Sequence, residues 1–309
     1  MKESHIPVLA NEWLSFLPED SLKIYVDGTL GAGGHALCVL ENHPEIERFI
    51  GIDQDTNALE IAKEKIIKWS DKVTFVHRNF SEINQVLEEL GIEKVDGILL
   101  DLGVSSMQLD VGERGFSFQQ TGPLDMRMNR ENELSAEIIV NTWSEEELGR
   151  IFRDYGEEWQ WRRAARKLVQ ERSQRKIVTT KDLVEVLSPV LKSRKVGIHP
   201  VTKVFQALRI CVNSELEVLQ QVLPQAINCL NPRGVLGVIT FHSLEDRIVK
   251  NFFRHEASNK QDTSGLSGLF LEKPSTVTLL NKKPITATDE EIELNPRSRS
   301  AKLRVVEKK

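Results

Sequence analysis

The stretch from Lys23 to Asp53 restricts the possible folds more than any other part of the chain. It reads Lys23-Ile-Tyr-Val-Asp27-Gly-Thr-Leu-Gly31-Ala-Gly33-Gly34-His35-Ala36, then a helical run, then Arg48-Phe-Ile-Gly-Ile52-Asp53. Ile24 to Val26 suits a short buried strand. The glycines after it predict a tight turn where backbone can approach a ligand closely. Ala36 to Leu40 begins a helix whose first amides would face that ligand. Phe49 to Ile52 predicts a second strand with Asp53 at its carboxyl end, and an acid about 20 residues past the glycines is the usual partner of ribose hydroxyls. This is a nucleotide-type cradle.

Gly31, Gly33 and Ala36 fit the pattern Gly-x-Gly-x-x-Ala, which does not by itself specify the nucleotide. Asp27, where the first strand ends, favours S-adenosylmethionine over a dinucleotide. A carboxylate there would repel a pyrophosphate but could hold an ammonium group, and this cofactor has an ammonium on its methionine end and no phosphate. The bland alternative is a glycine-rich turn of an ordinary α/β protein, with Asp27 as a turn or helix cap.

The pattern continues. Val8 to Phe16 and Thr56 to Trp69 have helical spacing. Val73 to His77 predicts a third strand, Ile83 to Leu90 a helix closed by Gly91, and Val95 to Leu100 a fourth strand ending at Asp101. Strands alternating with helices predict a doubly wound α/β sheet, with ligands at the carboxyl ends of the strands. Those ends carry Asp27, Asp53, Asn79-Phe80 and Asp101, which should converge on one crevice. Phe80 would lie against an adenine face or simply pack in the core. Asp101 would serve the site or cap the turn before Gly103.

From Glu113 to Cys211 no strand is predicted. Helices are expected at Ser144–Tyr155, Glu157–Arg172, Thr180–Leu191 with an interruption near Pro189, and Val201–Ile210, the first opened by a capping box. The chain therefore reads as a core over 1–112 and 212–309 with an all-helical insert over 113–211. Net charge is -5, so a nucleic-acid surface must be a local patch. The insert supplies one. Arg162, Arg163, Arg166, Lys167, Arg172, Arg175 and Lys176 are opposed nearby only by Glu171, and Lys192, Arg194, Lys195, His199 and Lys203 form a second run. With Trp159 and Trp161 alongside, Arg162, Arg163, Arg166, Lys167, Lys195 and Lys203 are candidate RNA contacts. A solvated helix face over core tryptophans explains the same residues.

The sheet resumes after a helix over Ser214–Leu230 containing Pro224. Asn231-Pro-Arg-Gly234 predicts a turn into a strand over Val235–Phe241, followed by His242 and a helix from Leu244 to Phe253. Residues 258–275 should be mobile. Lys302 to Glu307 alternates like a last strand, preceded by the basic loop Asn295–Ser300. Cys38, Cys211 and Cys229, widely spaced, predict a reducing cytoplasm and no disulfide, and the seven histidines lack metal-ligand spacing, so no metal is expected. No run approaches the ~18 apolar residues of a membrane span, and Met1 to Leu9 lacks a signal-peptide core.

Six motifs together resemble one family: Asp27-Gly-Thr-Leu-Gly-Ala-Gly-Gly-His35, Asp96-Gly-Ile-Leu-Leu-Asp-Leu-Gly-Val-Ser-Ser106, Arg114-Gly-Phe-Ser-Phe118, Gly122-Pro-Leu-Asp-Met-Arg-Met128, Phe205-Gln-Ala-Leu-Arg-Ile-Cys-Val-Asn-Ser-Glu-Leu216 and Phe241-His-Ser-Leu-Glu-Asp-Arg247. They resemble the bacterial MraW (RsmH) family over nearly the whole chain. The resemblance implies a Rossmann-like methyltransferase core with a helical insert and S-adenosylmethionine as donor. The implied substrate is the exocyclic N4 amine of a cytosine in the decoding region of 16S ribosomal RNA, within a small ribosomal subunit or its precursor. Carried over by motif, the cofactor contacts are Gly33, Gly34, His35, Asp53, Phe80, Asp101 and Gln108. Ala32, Met107 and Pro224 depart from the pattern without removing a cofactor group.

A cytosine amine is a poor nucleophile until an acceptor binds one of its protons. Asp101 or a nearby backbone carbonyl is the candidate acceptor. His242 would border the base or serve structurally at the start of a helix. Other readings are a methyltransferase of a small molecule or protein, a ribosome-assembly binder without turnover, and, at the level of fold alone, a nicotinamide dehydrogenase.

Overall fold

The structure, a computed structural model, describes residues 7–19, 21–193, 197, 199–262 and 270–309, with backbone only at 106, 261–262 and 270–271. In chain order the elements are α1 Ala10–Leu14, β1 Ile24–Asp27, α2 Gly34–Asn42, β2 Arg48–Asp53, α3 Thr56–Lys65, β3 Val73–His77, α4 Ile83–Glu89 and β4 Val95–Asp101. The helices α5 Ser106–Asp110, α6 Ala136–Thr142, α7 Glu145–Asp154, α8 Trp161–Arg172, α9 Thr180–Leu187, α10 Thr202–Asn213 and α11 Glu215–Cys229 follow. The chain closes with β5 Leu230–Thr240, α12 Ser243–Ala257, β6 Lys260–Asp262, β7 Phe270–Glu272, β8 Val277–Leu279, α13 Asp289–Leu294 and β9 Lys302–Lys308. Two compact units result, one formed by 1–103 with 216–309 and the other by 104–215. The helical unit therefore begins nine residues before the expected 113 and ends four past the expected 211. The helical unit takes in α5, and α10 runs on to Asn213.

In the first unit seven strands form one sheet in the order β3-β2-β1-β4-β5-β9-β8. β1 to β5 are parallel and β9 is antiparallel to both its neighbours. Successive strand residues point to opposite faces, and the core divides accordingly. Val26, Ile50, Ile98 and Val306 belong to one buried cluster, while Tyr25, Phe49, Leu99 and Val305 belong to another. Apolar surface thus covers both faces, as a parallel sheet requires. The strand order reverses between β1 and β4, the crevice where such sheets bind ligands.

Several elements differ from expectation for local reasons. α1 is only five residues long, entered from Leu9 with φ 55°. α8 starts at Trp161, not Glu157, because Glu157 takes φ 47°, which no helix continues. α9 stops at Leu187, short of Pro189. β5 begins at Leu230, so Asn231–Gly234 lies in the strand, across a register shift against β4. Where mobility was expected, β6 and β7 pair antiparallel; residues 263–269 lie outside the described residues.

The second unit packs its helices around Leu148, Phe152, Ala164, Leu168, Leu183, Leu187, Val204 and Leu208. Capping boxes open α7 at Ser144 and α9 at Thr179. The Arg114 guanidinium is buried and donates to the Arg127 and Met128 carbonyls at 3.0 Å each.

Candidate active site

Strand register sets the geometry. Asp27 pairs with Gly51 on β2 and Leu99 on β4, so Asp53 and Asp101 each lie two residues further along the same edge. The turn after β1 is held to both neighbours: Gly28 N–H donates to the Leu99 carbonyl and Leu30 N–H to the Ile52 carbonyl. Gly33 is the N-cap of α2 with φ 74°, and a Cβ there would lie 3.3 Å from Ala62. Only glycine meets both demands without strain.

Asp27 is 1% exposed. Its Oδ1 accepts from the Thr29 amide at 3.1 Å, while Oδ2 is buried with no hydrogen-bond partner. Burial pushes this carboxyl up to about 7, with Asp101 and Asp53 adding to the rise and His35 and the Thr29 amide opposing it. Asp53 accepts from the Gly31 amide at 2.7 Å and the Asp55 amide at 2.8 Å. Burial raises it to about 6 against those amides. An unpartnered buried carboxylate oxygen is costly unless a cation reaches it. This donor set therefore fits the ammonium end and ribose of an adenosyl cofactor, and it does not fit a pyrophosphate.

His35 is buried on α2 with Nε2 3.4 Å from Asp101 Oδ2. Burial alone would lower the imidazole's pKa, but the Asp101 carboxylate, with Asp27 behind it, outweighs that and raises it. The Asp101 amide donates to Thr29 Oγ1 at 2.6 Å, and Asp101 Oδ1 is buried without a partner. Thr29 thus ties β1 to β4 at the site. Its place between Asp27 and the glycines is the one signal of this role in the sequence. Phe80 opens a 3-10 turn after β3 and packs half-buried against the apolar cluster of one sheet face.

The structure brings Asp27, Gly33, Gly34, His35, Asp53 and Asp101 together at one sheet edge. His242 is the N-cap of α12: Glu245 Oε2 accepts from the His242 amide at 3.1 Å, and the imidazole Nε2 lies 3.1 Å from Glu245 Oε1. The imidazole is thus engaged in capping, a role the His-x-x-Glu spacing encodes. Gln108 belongs to the helical unit, where it is buried and closes the Ser105 capping box of α5.

The basic run of the helical unit is not opposed by Glu171 alone. Lys167 and Arg175 pair with Glu171, Arg175 also reaches Asp182, Lys176 pairs with Glu137, and Arg166 lies 3.5 Å from Glu145. Neighbouring helices bring in these acids, which counting along one helix cannot see. Arg162 sits 4.2 Å over the Trp161 ring, Arg163 is exposed, and Lys203 donates to the Glu157 carbonyl. Arg194 and Lys195 lie outside the described residues.

The switch-point crevice, the glycine turn and the acids at the tips of β1, β2 and β4 define a Rossmann-like methyltransferase. The chain belongs to the MraW methylase family, whose model matches residues 2–309. It is 55% identical over 98% of its length to the ribosomal RNA small subunit methyltransferase H of Protochlamydia amoebophila, covering 97% of that protein. It is 46% identical to the enzyme of the same name from Clostridioides difficile, over 100% of both chains. A solved rRNA methylase from Streptococcus thermophilus aligns over 99% of each chain at 9% identity, with a TM-score of 0.45.

Proposed function

We propose that this protein methylates the exocyclic N4 amine of a cytosine in the decoding region of 16S ribosomal RNA, acting on a small ribosomal subunit or its precursor in the cytoplasm. The observation that carries the reading is the cluster of buried Asp27, buried His35 and half-buried Asp101 at the β1/β4 switch point, with one carboxylate oxygen of each acid left unpartnered. No helix among the described residues is long and apolar enough to cross a membrane.

S-adenosylmethionine, when bound, supplies an electrophilic methyl group on a sulfonium centre. Asp27 Oδ2 would hold the ammonium end, and the Gly31–Gly34 turn would leave room for the cofactor beside β1. Asp53 retains lone pairs that would serve ribose hydroxyls, and Phe80 would border the adenine. His35 faces Asp101 Oδ2 at ion-pair distance, and Asp101 Oδ1, which has no partner, accepts a hydrogen bond from the cytosine amine and restores the nitrogen lone pair. The target base must leave its stack to reach these groups, and exposed cations of the helical unit contact the RNA backbone.

The test is methyl transfer from tritium-labelled S-adenosylmethionine to purified small subunits, to naked 16S RNA and to free protein, followed by nucleoside analysis. N4-methylcytidine from the RNA is the expected product. Label in free protein or a metabolite, or binding without transfer, would end this reading.

A further inference from the structure

A groove of about 360 Å³ on the helical unit is lined by Glu145, Glu146, Trp161, Arg162, Ala165 and Arg166. That volume lies at the lower end of sites that hold small organic ligands. Its floor is rigid. A Cβ at Gly149 would come within 2.9 Å of the Trp161 ring, so α7 holds the indole at van der Waals contact. The Arg162 guanidinium carbon lies 4.2 Å over that ring, and Arg162 is exposed. A guanidinium held on an aromatic ring is a platform on which a nucleobase stacks. Two carboxylates share the groove. Glu145 lies 3.5 Å from Arg166, and Glu146 is exposed in the first turn of α7 with no ion pair among the described residues.

We infer that this groove takes one unstacked guanine of a single-stranded RNA segment, stacked on the Arg162–Trp161 pair and read by the Glu146 carboxylate. The inference rests on the proposal that RNA is the substrate, and it concerns a surface separate from the residues assigned to methyl transfer. Two acids at the groove would repel a phosphate, so the mixed lining suits a base. A carboxylate only accepts hydrogen bonds. Guanine alone presents two adjacent donors, N1–H and the N2 amine, to both of its oxygens. Adenine and cytosine place a ring acceptor beside their amine, and uracil flanks its single N–H with two carbonyls. Arg166 pairs with Glu145, which leaves Glu146 as the acid that reads the base.

The experiment uses the full chain and fluorescein-labelled oligouridylates of eight nucleotides carrying one central guanine, hypoxanthine or adenine, read by anisotropy. The wild type should bind the guanine strand roughly tenfold more tightly than the adenine strand, with hypoxanthine between. Glu146→Ala should abolish the preference, and Arg162→Ala should weaken binding of all three strands. Both positions are exposed, and unchanged helical circular dichroism with an unchanged urea unfolding curve certifies that the helical unit of each variant is folded. Equal binding of the three strands by the wild type, or a preference that survives Glu146→Ala, overturns the inference. So does displacement of the guanine strand from neither variant nor wild type by free guanosine monophosphate. Subunits that are methylated without guanine preference sink the groove alone, whereas unmethylated subunits sink the substrate reading.

Discussion

His35 Nε2 lies 3.4 Å from Asp101 Oδ2 in the first unit, and the other Asp101 oxygen is buried without a hydrogen-bond partner. The imidazole faces one oxygen at ion-pair distance, its own Nε2 without a hydrogen-bond partner, and leaves the other oxygen for an incoming donor. If Asp101 accepts the amine proton, Asp101→Ala should lower kcat by roughly 10²- to 10⁴-fold, the range for a positioned proton acceptor. His35→Ala should lower kcat by about 10²-fold through misplacement of that carboxylate, with the KM for subunits little changed. His35→Gln, which keeps a donor, should recover part of the loss. A structural role alone would leave kcat intact in the folded variants, and normal turnover by Asp101→Ala would remove it from the chemistry.

Asp27 couples the site to pH. Its folded carboxyl titrates near 7 against an ordinary value of 3.8, so between those values the folded chain keeps a proton that the unfolded chain has released. The sign follows. The stabilising contribution is full below about pH 4 and is lost as pH rises through 7, amounting to on the order of 4 kcal/mol. Asp53, raised to about 6, acts in the same direction. Thermal melts of the protein without cofactor should therefore fall in midpoint from pH 5 to pH 8, and Asp27→Asn should flatten most of that slope. A midpoint independent of pH in the wild type would contradict the buried, partner-poor setting of this carboxylate.

The sheet and the strand tips were legible in the sequence because each rests on local signals. Apolar runs of strand length end in Asp27, Asp53 and Asp101, and glycines stand where φ must be positive. What could not be read is what folding brings from elsewhere. Asp182 and Glu137 neutralise Arg175 and Lys176 from α9 and α6, so the cationic stretch is far less free than its composition implies. The start of α8 was misplaced because one residue, Glu157, takes a left-handed conformation that its side chain does not announce. Thr29 was passed over because a threonine in a turn has many bland uses. Its hydrogen bond to β4 emerges only in the assembled sheet.

Gly33 tests the cradle independently of charge. It has φ 74° and lies close to Ala62. Gly33→Ala should cost about 1–2 kcal/mol for the left-handed backbone and reduce cofactor affinity at least several-fold, since α2 would shift from the turn it caps. Urea unfolding and calorimetric titration with S-adenosylmethionine measure the two effects separately. Wild-type values in both would show that the turn tolerates a side chain and that its close approach has no role in binding.

In the helical unit, the loop carrying Met126, Arg127 and Met128 depends on one side chain. Asn213, at the end of α10, accepts from the Met128 amide at 2.8 Å and donates to the carbonyls of Met126 and Arg209 at 2.9 Å each. Asn213 is 9% exposed, and Met126 takes φ 63°, a conformation held only by such outside support. Asn213→Ala would strand a buried donor and a buried acceptor on that loop, each worth about 1–3 kcal/mol when unsatisfied. The urea midpoint should therefore fall by the equivalent of about 3 kcal/mol, and the Met128 amide should exchange with solvent much faster. Asn213→Asp should do no better, because it keeps the acceptor, loses the donor and buries a charge. Unchanged amide protection at Met128 in the alanine variant would mean that the loop is held by the Arg114 guanidinium alone.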